Sequence, residues 1–123
     1  MVFKENNKAI YLQIADKICD DIVTGQLAAG ARIPSVREYA ASLEVNANTV
    51  MRSYEYLERS GVIFNRRGIG FFIAETARDT VLTERRESFL KGEMPYFFHQ
   101  LMLLAVSPDE VKTMYENYLN EKK

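Results

Sequence analysis

The chain has 123 residues, of which 47% are hydrophobic, 27% charged and 11% aromatic, and its formal net charge is −1. This suffices for one compact domain, or a small domain with an appendage, and it excludes a disordered tail. No apolar run approaches the roughly 18 residues of a membrane span, no secretory leader is expected, and a single cysteine cannot close an internal disulfide, so a reducing, cytoplasmic location is expected.

From Ala9 to Thr24 the pattern is helical. Ile14, Ile18 and Ile22 step by four, Tyr11 and Ala15 lie beside them, and Lys17, Asp20 and Asp21 fall largely opposite. Gly25 fits the position just past a helix end. The isoleucine ridge reads as core, and Cys19 as a small apolar residue in it. Residues 1–7 are expected to be loose.

A second helix is expected after Ser35. Pro34 keeps the preceding residue out of helical conformation, and Ser35 with Glu38 three residues on forms a capping box. Val36, Tyr39, Ala40 and Leu43 then mark one apolar face. Glu44-Val45 turns the chain, and Asn46 caps a third helix whose core face is Val50, Tyr54 and Leu57 and whose end is Gly61. This is helix-turn-helix spacing. Val62-Ile63-Phe64 and Phe71-Phe72-Ile73 come next as β-rich runs joined by Asn65-Arg66-Arg67-Gly68-Ile69-Gly70, a hairpin with arginines at its tip. Together with the first helix, these elements describe a winged helix.

In a helix-turn-helix the second helix of the pair lies in the major groove with its N-terminal residues facing base edges. With Val50, Tyr54 and Leu57 turned inward, Asn48, Thr49 and Arg52 lie off the core face, beside Ala47 and Met51. Asparagine can pair with adenine at two points, threonine can touch a thymine methyl or a phosphate, and arginine can take guanine. Arg66 and Arg67 can reach a neighbouring minor groove, and Gly68 and Gly70 allow close backbone approach. Each has a plainer alternative. Asn46 caps a helix whether or not it meets DNA, Arg52 can pair with Glu55, and hairpin glycines need no DNA to explain them.

The string Gly30-x-x-Ile33-Pro34-Ser35-x-Arg37-Glu38-x-Ala40, then Val45-Asn46-x-Asn48-Thr49-Val50, Leu57-x-x-x-Gly61 and Arg67-Gly68-x-Gly70, with Tyr11-x-Gln13-Ile14 upstream, resembles the GntR family of bacterial transcription regulators. The resemblance implies that Arg37 contacts DNA, with a surface pair to a glutamate as the alternative, and that Ser35 adds a phosphate contact to its capping role. Two departures stand out: many members carry arginine where this chain has Ala47 and again where it has Met51. The short tail resembles the YtrA-like subgroup, which ends in a few dimerising helices and no ligand-binding domain.

Charge gives mild support. Residues 30–74 hold six arginines and no lysine against four glutamates, a net of +2, while residues 1–29 sum to −1 and residues 75–123 to −2. Where the arginines point matters more than the total.

Residues 75–91 are charged and helix-prone, with Val81, Leu82, Phe89 and Leu90 apolar. Leu90, Met94, Phe97, Leu101 and Leu104 then take up a heptad-like stepping, which Phe98, Met102 and Ala105 broaden. Gly92 and Pro95 are expected to break or kink that helix. Ser107-Pro108-Asp109-Glu110 is a second capping box, and Val111, Met114, Tyr115, Tyr118 and Leu119 face one side of a last helix. The tail has more apolar face than it can bury alone. Pairing with a second copy through Phe89, Leu90, Met94, Phe97, Leu101 and Leu104 is expected; the alternative is folding back on its own domain. His99 is the sole histidine, no set has metal spacing, and no cofactor or catalytic group is expected. The sequence identifies no small-molecule effector.

The expected architecture is therefore mainly α with a small β-hairpin: a winged helix-turn-helix domain at 1–75 and a helical dimerisation tail at 76–123. The expected function is a sequence-specific transcription regulator, not an enzyme. It would be a homodimeric repressor of a palindromic double-stranded operator, and the resemblance points to a transporter operon. The alternative is a winged-helix protein-interaction module that has given up DNA, motivated by the acidic total and the two missing arginines.

Overall fold

The computed structural model describes residues 8–123, and the loose start expected at residues 1–7 lies outside them. The first helix, α1 (Ile10–Val23), buries Ile14, Ala15, Ile18 and Ile22, the ridge its sequence spacing requires. The Thr24 hydroxyl donates to the Asp20 carbonyl at 2.9 Å, and Gly25 at φ +85° carries the chain away.

The second helix, α2 (Val36–Leu43), starts on a complete capping box. The Glu38 amide donates to Ser35 Oγ at 3.2 Å, and the Ser35 amide donates to Glu38 Oε1 at 3.3 Å. Hydrogen bonding from the Ser35 side chain and amide, assisted by Arg32, holds the Glu38 carboxyl below its ordinary range. The box therefore supports the fold above the unfolded carboxyl range and weakens as pH falls through the lowered value.

Glu44 closes α2 in the left-handed region at φ +56°, with its own amide on Ala41 and the Val45 amide on the Ala40 carbonyl at 3.1 Å. This Schellman closure lets the chain turn sharply into α3 (Ala47–Arg59). The conformation is strained for a residue with a Cβ. Glu44→Gly is therefore expected to gain roughly 0.5 kcal/mol after the glycine's greater unfolded-state freedom is discounted, a rise of about 2–4 °C in Tm by calorimetry. Asn46 caps α3 by accepting the Asn48 amide on Oδ1 at 2.8 Å, and Gly61 lies just past its end at φ +78°.

The hairpin pairs β1 (Ile63–Arg66) with β2 (Gly70–Ile73), Ile63 facing Ile73 and Arg66 facing Gly70. Asn65 and Arg66 thus belong to the ladder, and the connection is tighter than the sequence pattern indicated. A segment with no strand signal completes the wing. Gly30 donates to the Ile73 carbonyl at 2.8 Å, Ile73 to Ala31 at 2.9 Å and Ile33 to Phe71 at 3.0 Å, so residues 30–33 run along the edge of β2.

One core joins these parts. Ile14, Ile18, Val50, Tyr54, Leu57, Val62, Ile63 and Ile73 are buried together, and Ala77 and Val81 of α4 (Ala77–Ser88) belong to the same cluster. The chain divides into compact units at Glu84–Arg85, inside α4, because the first half of that helix supplies core to the winged domain. The division expected at 75/76 falls just before the helix.

The second unit runs from Arg85 to Lys123. A π-helical turn (Phe89–Glu93) leads into α5 (Met94–Leu103), and α6 (Pro108–Glu121) ends the chain. Pro95 explains the π turn. Proline has no amide to give and its ring crowds the preceding turn, so the chain takes up one extra residue, with Met94 donating back to Phe89. The extra residue shifts the helical phase at the turn, so Leu90 through Leu104 do not trace one straight seam. Ala105 adopts φ +55° and closes α5 instead of extending its apolar face. Ser107 Oγ accepts the Glu110 amide at 3.1 Å, forming the serine half of the expected box. Among the described residues, no helix is long and apolar enough to cross a membrane.

Candidate nucleic-acid interface

The fold sorts α3 into two faces. Val50, Ser53, Tyr54 and Leu57 are buried, while Asn46, Ala47, Asn48, Met51 and Arg52 are exposed and Thr49 is half-buried. Two side-chain hydrogen bonds hold the helix from its inner side. Ser53 Oγ donates to the Tyr11 carbonyl of α1 at 2.7 Å, and Tyr54 Oη donates to the Pro34 carbonyl at 2.7 Å. Helix α1 and the segment entering α2 thus fix the inner face, and the first turn of α3 stays exposed.

Arg52 does not make the ion pair with Glu55 that its spacing allows. Its guanidinium lies 4.1 Å from the centroid of the Tyr11 ring. Ser35 sits at the start of α2 with Oγ engaged in the cap, and Arg37, two residues on, is exposed. Asn46 spends Oδ1 on its own helix, leaving its amide nitrogen at the surface.

In the wing, register separates the faces. Ile63 and Ile73 turn into the core, and the Phe71 ring meets Tyr54 edge-on at 5.0 Å. Phe64 and Phe72 stack at 5.7 Å on the opposite face, with the Arg66 guanidinium 5.7 and 5.5 Å from their centroids. Arg67 is exposed in the turn, Gly68 holds φ +79° with open space where a Cβ would stand, and Gly70 holds φ +139°. A Cβ at Gly70 would meet Arg32 Nε at 3.1 Å. Arg32 bridges to Phe72 and so lies on the Phe64–Arg66 face, an arginine that the sequence pattern does not single out. Its signal would have been alternation along residues 30–33, which Pro34 cuts short.

The protein thus brings Asn48, Thr49 and Arg52 onto one helix end and Arg66, Gly68 and Gly70 onto one hairpin, with Arg37 on the neighbouring helix. Among the described residues, no group of His, Cys, Asp and Glu is arranged to hold a metal ion.

Known proteins share this architecture. The chain is 38% identical over 107 residues to the uncharacterized HTH-type transcriptional regulator YhcF of Bacillus subtilis, a match covering 87% of each chain. It is 38% identical over 85 residues to the HTH-type transcriptional repressor YtrA of the same organism, covering 69% of this chain and 65% of that one. A GntR-family protein from Bacteroides thetaiotaomicron is 54% identical and superposes with a TM-score of 0.83, over 94% of this chain and 100% of the other. Residues 10–73, from the start of α1 to the end of the wing, match the bacterial regulatory proteins of the gntR family, and the chain therefore belongs to the GntR family of DNA-binding transcription regulators.

Proposed function

We propose that the chain is a homodimeric repressor that binds a palindromic operator, with the N-terminal face of α3 in the major groove and the wing against the adjacent minor groove. The observation that carries the reading is the exposed outer face of α3. Asn48 and Arg52 are left in solvent by a helix whose other face is sealed by Val50, Ser53, Tyr54 and Leu57. Arg37, Arg66 and Arg67 supply phosphate contacts around it, with Ser35, Asn46, Thr49, Gly68 and Gly70 completing the surface. Dimerisation is supported by the tail, where Phe89, Leu90, Phe97 and Leu104 are exposed and Met94 and Leu101 only half-buried. A dimer places two copies of α3 on two half-sites, and a bound operator then blocks polymerase. Likeness to YtrA, which is named a repressor, supports repression, and the resemblance to its subgroup supports a transporter operon as target in the cytoplasm.

A salt titration on DNA from upstream of the protein's own gene tests this. Counterion release from several phosphates per subunit should give a log–log slope of roughly −5 or steeper for the dimer. Arg37→Ala should weaken binding to every sequence and make the slope shallower by about one per subunit, whereas Arg52→Ala should cost roughly 1–3 kcal/mol per subunit and relax preference at one base pair of each half-site. A slope near zero, or full affinity in both variants, would favour the protein-interaction module, the reading suggested by Ala47, Met51 and the acidic total.

A further inference from the structure

The first helix carries no residue of the expected DNA surface, yet it holds one of the groups on that surface. Tyr11 is fixed at three points. Its carbonyl accepts the Ser53 hydroxyl at 2.7 Å, its ring meets Tyr56 edge-on at 6.5 Å, and its face lies 4.1 Å from the Arg52 guanidinium. Ser53 and Tyr56 belong to α3 itself, so the ring is locked to the helix whose arginine it supports.

We propose that Tyr11 is a positioning residue for DNA recognition: it holds the Arg52 guanidinium, by stacking, in the orientation in which its N–H edge meets the duplex. This rests on the proposed DNA-binding function and deepens it. The chemistry of the contact favours the idea. Stacking occupies the flat face of a guanidinium and leaves its five N–H donors, which lie in the plane, free for a two-point bond to guanine or a phosphate. An ion pair with Glu55 would instead occupy that edge and cancel the charge. A long arginine side chain loses much rotamer freedom on binding, and a guanidinium already stacked has lost part of it beforehand. In a chain of net charge −1, placing Arg52 well matters more.

The test uses the full-length protein and a duplex selected by the wild type from a random-sequence pool. Tyr11→Leu should lower affinity for the selected duplex roughly three- to fivefold per subunit, the range expected when part of one side chain's ordering must be supplied on binding, and flatten discrimination at the base pair that Arg52→Ala also affects. Tyr11→Phe, which keeps the ring, should restore most of the loss. In an Arg52→Ala background, Tyr11→Leu should have no further effect on binding. An equal loss in both backgrounds would make Tyr11 a purely structural residue and overturn the proposal. So would unchanged binding by Tyr11→Leu while Arg37→Ala still weakens it, an outcome that leaves the DNA-binding function standing. Failure of the wild type to enrich any duplex would overturn both.

Discussion

Cutting the chain after Glu84 is expected to yield a folded monomer that binds single half-sites weakly and loses roughly 10²- to 10⁴-fold in affinity for the full palindrome, the effective-concentration gain that linkage of two sites provides. The second unit explains why. Leu104 is 70% exposed, Met102 68% and Tyr96 67%, and no residue from Arg85 onward is fully buried. This much apolar surface in water favours association, and the proposed second copy would cover it with matched area and two-fold symmetry. Glu84 is the proper cut because the winged domain ends there and not at the wing. Ala77 and Val81 are 1% and 3% exposed within its core, so a cut after Ala74 removes both and should cost a further 2–4 kcal/mol or so of stability. Light scattering and thermal unfolding of the two truncations separate the effects. A dimer that survives the cut at Glu84 would remove the tail's proposed role.

The features legible in the sequence were those whose causes lie within a few residues. Ser35 with Glu38, Asn46 before a periodic run, and Gly61 after it are capping signals that act through the nearest amides, and each stands where its spacing placed it. The isoleucine ridge of α1 and the inner face of α3 are periodic patterns that core burial enforces. What escaped depends on partners distant in sequence or on unusual backbone. Residues 30–33 join the wing only because β2 offers an edge, and nothing in Gly30-Ala31-Arg32-Ile33 announces a strand. The π turn arises where Pro95 interrupts the helical ladder and the chain continues through one wider turn, an accommodation that a breaker rule reads as a break or kink. Arg52 had a local partner in Glu55 at the right spacing and took Tyr11 instead, some forty residues away in sequence. At the candidate interface, therefore, the residue types and their faces were readable, while the groups that orient them were not.

The largest loss of stability from a single substitution is expected at Tyr54, where fold and interface meet. Its ring is 1% exposed, packs edge-on against Phe71 of the wing at 5.0 Å and tilts against Tyr39 of α2 at 6.2 Å. Its hydroxyl donates to the carbonyl of Pro34, the residue before the Ser35 cap. One side chain on α3 thus fixes the wing, α2 and the entry to α2 relative to the recognition surface. Tyr54→Ala removes all of these contacts and opens a cavity at their junction, for an expected cost of about 3–5 kcal/mol. In thermal unfolding this corresponds to a fall in Tm on the order of 10–25 °C. Tyr54→Phe keeps the ring and loses only the hydroxyl; because Pro34 is exposed and water can satisfy its carbonyl, the cost should be near 1 kcal/mol. Burial first, then the neighbouring Tyr39 and Glu38, push the Tyr54 hydroxyl well above the ordinary tyrosine range. It therefore remains a neutral donor at physiological pH. Its contribution is whole below the unfolded tyrosine pKa of about 10, and it declines as pH rises from there toward the raised folded value. Comparable Tm values for Tyr54→Phe and Tyr54→Ala would show that the hydroxyl, and not the packed ring, carries the junction. That result would contradict the account of how α3 is held with its outer face free.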